Sequence, residues 1–251
     1  MAEIPLVSVN IEMSKHLELV TAFLARMNPE VLCVQEVMEH DIPLIARASG
    51  CAEWRFLPMT HRTDEDPLMN GTMGVGIFSR LPIATSSMSY YRGDSATVPE
   101  FDGTDVESKS RTINHGVLIC DIEKEGATFR IATMHFTWTP HGAPDEHQRE
   151  DIKKLLAILA ASGELVFTGD LNAPRSDEIF AQLAAAYRDN IPPQHITSID
   201  LDLHRVGRQQ AHELAYRMVD GLFTTPAYAA SDVELHLGVS DHCAITATIS
   251  R

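Results

Sequence analysis

The sequence predicts an α/β fold in one domain spanning residues 1–251, with mixed sheets faced by helices. Three observations predict it. A strand, a helix and a strand follow one another between Ile4 and Val37. A run of strand-like segments with no long helix between them occupies Trp54 to Phe136. Helix then returns at Pro144–Ala161 and leads into another apolar strand.

Ile4–Ile11 is apolar and rich in Val and Ile, which reads as a buried strand. Ser14 is placed to cap a helix in which Leu17, Val20, Phe23, Leu24 and Met27 recur at helical spacing, and Pro29 stops it. Val31–Val37 is a second buried strand, so the three elements form a βαβ unit with parallel neighbouring strands. Asp41–Ala48 reads as a helix. Trp54–Leu57, Thr72–Ser79, Ile83–Tyr91, Thr112–Ile122 and Thr128–Phe136 then read as strands of antiparallel meanders, with Lys124-Glu125-Gly126 as the clearest hairpin turn. Between them, His61–Gly71 and Gly93–Ser110 read as long loops, which tend to line functional sites. The helix Pro144–Ala161 carries Ile152, Leu155, Leu156 and Leu159 as its apolar stripe and stops at Gly163. Leu165–Thr168 is a strand, Ser176 starts a helix ending near Tyr187, and Met218–Thr224 and Cys243–Ile249 are strand-like.

Composition narrows the function classes. Hydrophobic residues make up 44% and charged residues 22% of 251, as in an ordinary globular protein. Thirty-five acidic against twenty basic residues give a formal charge of −15, which repels phosphate polymers at long range. The four cysteines are widely spaced with no C-x-x-C, and they read as reduced thiols of a cytoplasmic protein. No apolar run approaches the roughly 20 residues of a membrane span, and no obligate protein partner is implied.

Polar residues at the ends of buried strands are the informative feature, because an unpaired polar group is costly there. Asn10 and Glu12 end the first strand, Glu36 ends the second, and Asp170 and Asn172 end the strand after the long helix. Asp220 lies in Met218–Phe223, and Asp241 and His242 precede the last strand. Carboxylate and amide oxygens suit a hard cation such as Mg²⁺, and a neighbouring His–Asp pair can hold an imidazolium against a phosphate.

These residues lie in the segments VSVNIE, VQEV, TMHFTW, TGDLNAP, MVDGLF and GVSDHCAI. Their order and spacing resemble the endonuclease/exonuclease/phosphatase superfamily over nearly the whole chain, from Asn10 to His242. The resemblance implies a four-layer α/β/β/α sandwich of two packed mixed β-sheets. It also implies a metal-dependent phosphoric ester hydrolase using Mg²⁺ or Mn²⁺. On that resemblance Glu36 is the principal metal ligand, with Asn10, Asp241 and Glu12 around it. Asp170 orients and deprotonates the attacking water, and Asn172 holds substrate or that aspartate. His242 faces the scissile phosphate, Asp220 fixes its tautomer, and His135 contacts a phosphate oxygen.

Arg111 is a candidate phosphate clamp because its rigid fork suits phosphate. His204, Arg205, Arg208, His212 and Arg217 form a local positive run that reads either as a guide for an anionic substrate or as a solvated helix face. His141, Asp145 and His147 are the only zinc-like grouping and lack a third ligand at a telling spacing. The sequence therefore points to a phosphodiesterase or nuclease-like enzyme acting on a nucleic acid, a nucleotide or a small phosphodiester. The alternatives are a phosphomonoesterase on a small metabolite or lipid head group, and a non-catalytic binding module that keeps the fold.

Overall fold

A computed structural model describes residues 2–251. In chain order the elements are β1 (Glu3–Asn10), α1 (Leu17–Met27), β2 (Val31–Met38), α2 (Ile42–Ser49), β3 (Glu53–Arg62), β4 (Gly71–Ser79), β5 (Ile83–Arg92) and α3 (Val106–Arg111). There follow β6 (His115–Lys124), β7 (Ala127–His135), α4 (Glu146–Ala161), β8 (Val166–Asp170), α5 (Glu178–Ala186), β9 (Arg188–Asp189), α6 (Ala211–Leu214), β10 (Asp220–Thr224), β11 (Ala229–His236) and β12 (Ala244–Ser250). They make two six-stranded sheets, ordered β11-β12-β1-β2-β4-β3 and β5-β6-β7-β8-β10-β9.

The layers follow from alternation along the strands. In β1, Ile4 and Leu6 join the core between the sheets, while Val7 and Val9 meet Val20, Phe23 and Leu24 of α1. In β7, Phe129 and Ile131 point to the inter-sheet core, while Ala132 and Met134 pack with Ile152 and Leu155 of α4. Three apolar cores thus separate four layers, the α/β/β/α sandwich that the resemblance implies.

Each sheet contains one parallel pair, β1 with β2 and β7 with β8, and the other pairings are antiparallel. The βαβ unit and the meander are therefore where the sequence places them. In the hairpin turn, Glu125 (φ 52) and Gly126 (φ 79) are both left-handed, and Lys124 pairs with Ala127.

Several local expectations are corrected. Ser14 is not a helix cap: its hydroxyl donates to buried Asp41 at 2.6 Å, and α1 starts at Leu17. Asp177, not Ser176, precedes α5. The strand expected from Thr112 starts at His115, because Val106–Arg111 forms α3 inside the expected loop Gly93–Ser110. The strand expected at Trp54–Leu57 runs on to Arg62. The edge strand β11, AASDVELH, was not expected, since half of it is exposed and only Val233 and Leu235 alternate with polar neighbours, both packed against the inter-sheet core. All four cysteines are free and buried, and among the described residues no helix is long and apolar enough to cross a membrane.

Candidate active site

The parallel pairs of the two sheets end side by side. Their carboxyl ends carry Asn10 and Glu36 in one sheet and His135 and Asp170 in the other, and these four residues touch. Asn10 Nδ2 donates to Asp170 Oδ2 at 2.9 Å and to Glu36 Oε1 at 3.2 Å. His135 Nε2 lies 3.5 Å from Asp170 Oδ2 and 3.6 Å from Glu36 Oε1.

Asp170, Asn10 and His135 reach this point by strand alternation alone. Glu36 does not. The β2–β4 register shifts between Val34 and Val37, and within this bulge Glu36 has φ +54. Gln35 keeps the inward direction, donating across the sheets to Thr133 Oγ1 at 2.9 Å, and the bulge turns Glu36 out of its outward-facing position. A left-handed glutamate costs on the order of 1 kcal/mol, and such strain gathers at functional sites. Glu12 (φ 46), Met13 (φ 60), His141 (φ 58) and Asn172 (φ 48), all at the same cleft, are left-handed too.

Asp170 is held firmly. The backbone N–H of Asn172 donates to its Oδ1 at 2.8 Å, and Asn172 Nδ2 donates to the carbonyl of Phe136 at 2.9 Å. Behind it, Gly169 sits at φ 150 against β7, where an added Cβ would stand 2.0 Å from the Met134 carbonyl oxygen.

His242 enters from the start of β12. Its Nδ1–H donates to Asp220 Oδ2 at 2.7 Å, leaving Nε2 aimed at Asp170 Oδ2, 3.8 Å away. Burial alone would keep this imidazole neutral, but Asp220, Asp170 and Asp241 outweigh it and hold its pKa well above the ordinary value. Ser198, which sequence reasoning missed, positions this pair. Its Oγ accepts from the N–H groups of Val219 and Asp220, each at 3.1 Å, and its carbonyl accepts from Cys243 N at 2.7 Å. No local pattern marks that serine.

Asp241 lies beside Glu12 and His16. Burial pushes its carboxyl up to about 7; the His242 charge pulls it back, while Glu12 and Glu36 push it further up. Glu12 itself is paired with Lys15 and, at 3.1 Å, with His16. Among the described residues three groups bring ligand atoms within 4.8 Å of one another: Glu36–His135–Asp170, Asp170–Asp220–His242 and Glu12–His16–Asp241. The donor set around Glu36 is oxygen-rich and anionic, which fits a hard divalent cation. Asn10 links the two carboxylates through its NH₂, and its Oδ1 accepts the Glu12 N–H at 3.1 Å.

Glu12, Glu36, His135, Asp170, Asn172, Asp241 and His242 line a cleft of about 970 Å³, and Asn10 and Asp220 support it from behind. His115, also unforeseen, lies beneath His135. Its Nδ1–H donates to the His135 carbonyl at 2.9 Å, and burial drives its pKa down to about 3.

Arg111 is a correction. It ends α3 exposed to solvent, pairs with Glu107 at 3.3 Å and does not line the cleft, because the chain forms a helix where an approach to a strand was expected. Lys109 of the same helix lines it instead. Of the positive run, His204, Arg205 and Arg217 line the cleft, whereas Arg208 pairs with Asp202 outside it and His212 lies beside Glu213. The zinc-like residues disperse: Asp145 caps α4 by accepting from Gln148 N at 2.8 Å, and His141 stands in the cleft wall.

A family model described as the Endonuclease/Exonuclease/phosphatase family matches residues 7–242. A search of curated proteins finds no match. Among solved structures, an endonuclease/exonuclease/phosphatase from Beutenbergia cavernae DSM 12333 superposes with a TM-score of 0.74 at 15% identity, covering 99% of this chain and 72% of that one. D. rerio TDP2, solved with a single-stranded DNA product, gives 0.69 at 15% identity and covers 100% of both chains. A mannosyl-6-phosphatase from Bacteroides thetaiotaomicron VPI-5482 gives 0.67 at 10% identity, covering 99% of this chain and 100% of that one. At these identities the likeness shows the fold.

Proposed function

Because the chain belongs to the endonuclease/exonuclease/phosphatase family, whose members are phosphoesterases, we propose that it hydrolyses phosphate diesters with the help of Mg²⁺ or Mn²⁺. The observation that carries this reading is the convergence of Glu36, Asp170, His135 and the His242–Asp220 pair on one cleft. Glu36 would hold the cation, with Asp241 and Glu12 as the further carboxylates of the same cleft. Once bound, a divalent cation would supply Lewis-acid charge to a phosphoryl oxygen.

The chain's own groups do the rest. Asn10 and the Asn172 N–H restrain both oxygens of Asp170, so that the carboxylate presents a fixed lone pair to water. Asp170 acts chiefly by orienting that water, since an aspartate is a weak base for it. Asp220 fixes the His242 tautomer, and the charged ring offers its Nε2–H to an equatorial oxygen as negative charge grows. His135 offers a second ring nitrogen on the other side. Four buried free cysteines support a reducing, cytoplasmic setting.

The test is turnover of bis(p-nitrophenyl) phosphate with Mn²⁺, beside p-nitrophenyl phosphate as the monoester and Asp170→Ala as control. Metal-dependent diester turnover that falls by about 10²–10³ in the variant is expected. Equal rates for wild type and variant would leave a binding module, and a faster monoester would make the enzyme a phosphatase.

A further inference from the structure

We propose that the cleft wall formed by Trp138, Lys109, Phe101 and Arg62 selects a small nucleotidyl phosphodiester, whose base stacks on the Trp138 indole. This deepens the phosphodiesterase reading and rests on it. Trp138 lies three residues beyond His135, lines the cleft and leaves 40% of its surface exposed. An indole this open in a concave site gains substantially when a flat apolar group covers it.

The loop beneath that ring is rigid. Thr137 Oγ1 donates to Asp151 at 2.5 Å, Asp151 also accepts from Arg92 Nε at 2.7 Å, and Gln148 Nε2 donates to the Thr137 carbonyl at 2.6 Å. Asp151 and Gln148 are fully or almost fully buried. A buried carboxylate and a buried amide thus fix the backbone beside an exposed aromatic face, which makes a preformed platform.

The facing segment is equally anchored. His61 N donates to the Pro99 carbonyl at 2.8 Å, Phe101 N to the His61 carbonyl at 2.7 Å, and Thr60 Oγ1 to the Thr112 carbonyl at 2.7 Å. Its side chains bring cations onto rings: Lys109 Nζ lies 4.8 Å from the Trp138 ring centre, and the Arg62 guanidinium 4.2 Å from that of Phe101. Among the described residues Lys109 makes no ion pair, so its charge is available to a phosphate oxygen. Two hydroxyls lining the cleft, Ser110 Oγ and Thr139 Oγ1, are buried without a partner, and Thr139 is 1% exposed. Ring faces, cations and unspent hydroxyls together are what a base attached to a phosphate requires. The cleft of about 970 Å³ is of small-molecule size, and the net charge of −15 opposes a polyanion.

The chain has two tryptophans, and Trp54 sits on the exposed β3 edge away from the cleft. Trp54→Phe therefore isolates Trp138 as a fluorescent reporter. Adenosine 5′-monophosphate is expected to change its emission saturably, while ribose 5-phosphate at the same concentration does not. An equal response to both, or none to either, overturns the proposal. A kinetic arm compares thymidine 5′-(p-nitrophenyl phosphate) with methyl p-nitrophenyl phosphate, which share a leaving group. The preference for the thymidine ester, as a ratio of kcat/KM values, is expected to fall about tenfold in Trp138→Ala, and an unchanged ratio overturns the assignment. Nucleotide binding without turnover of any ester would remove the hydrolase reading while keeping the base site, so the two failures are distinguishable.

Discussion

The two parallel pairs do the same job by different means. β7–β8 aims Asp170 by ordinary alternation, with Val166 inward, Phe167 outward and Asp170 at an inward-facing end. β1–β2 cannot aim Glu36 that way, since Leu32 and Val34 already face the helices on the same parity. A bulge with one left-handed residue turns the carboxylate round. In one sheet, then, the direction of the carboxylate is built into the strand. In the other it is maintained against local strain. The β8 solution has its own demand, a glycine that lets the backbone pass close to β7.

The sharpest break of this contrast is Glu36→Gly. Removing the carboxylate should cost on the order of 10²-fold or more in Mn²⁺-dependent turnover. Relief of the strain offsets the greater freedom of glycine in the unfolded chain, so the Tm should stay within about 3 °C of wild type. A large fall in Tm would show that the bulge is unstrained.

Gly169→Ala should do the opposite. Its Cβ would meet the Met134 carbonyl at 2.0 Å, so urea unfolding should show a loss of about 2–4 kcal/mol. Wild-type stability in this variant would mean that β8 tolerates a side chain there.

Asn10→Ala removes the bond that joins the two carboxylates, and an apparent Mn²⁺ affinity about 10–100-fold weaker is expected from activity titrations. An unchanged affinity would make the two carboxylates independent.

The last test is the pH dependence carried by His115. Its folded pKa of about 3 lies below the unfolded 6.5, so between those values the unfolded chain binds the extra proton. Stability from a neutral His115 is therefore complete above pH 6.5 and is lost as pH falls toward 3. Each pH unit in that window costs up to about 1.4 kcal/mol. Denaturant unfolding from pH 7 to 4 should show a shallower decline in His115→Phe, and identical slopes would contradict the assignment.

How much of this could be read beforehand depends on where each signal resides. Asn10, Glu36, Asp170 and His242 stand out because each is polar at the end of an apolar run, which is a local anomaly. Asp220 and His135 gained their roles from the resemblance. Ser198 and His115 act through backbone groups distant in sequence, and nothing around them is unusual. Arg111 was misplaced because a short helix, capped by Asp105 accepting from Ser108 N, occupies residues where hydropathy shows only polar chain. β11 escaped notice because an edge strand needs only one paired neighbour, and its apolar alternation is confined to Val233 and Leu235.

By itself the chain's pattern determined mixed sheets faced by helices, the first crossover and the polar groups at the strand ends, while the four layers came with the resemblance. Burial periodicity and strand-end polarity are local properties, which the sequence carries directly. The direction of Glu36, the entry of Lys109 rather than Arg111 into the cleft wall and the seating of Trp138 were decided by tertiary structure. Each depends on a bulge, a helix or a buried network whose stability comes from partners far along the chain.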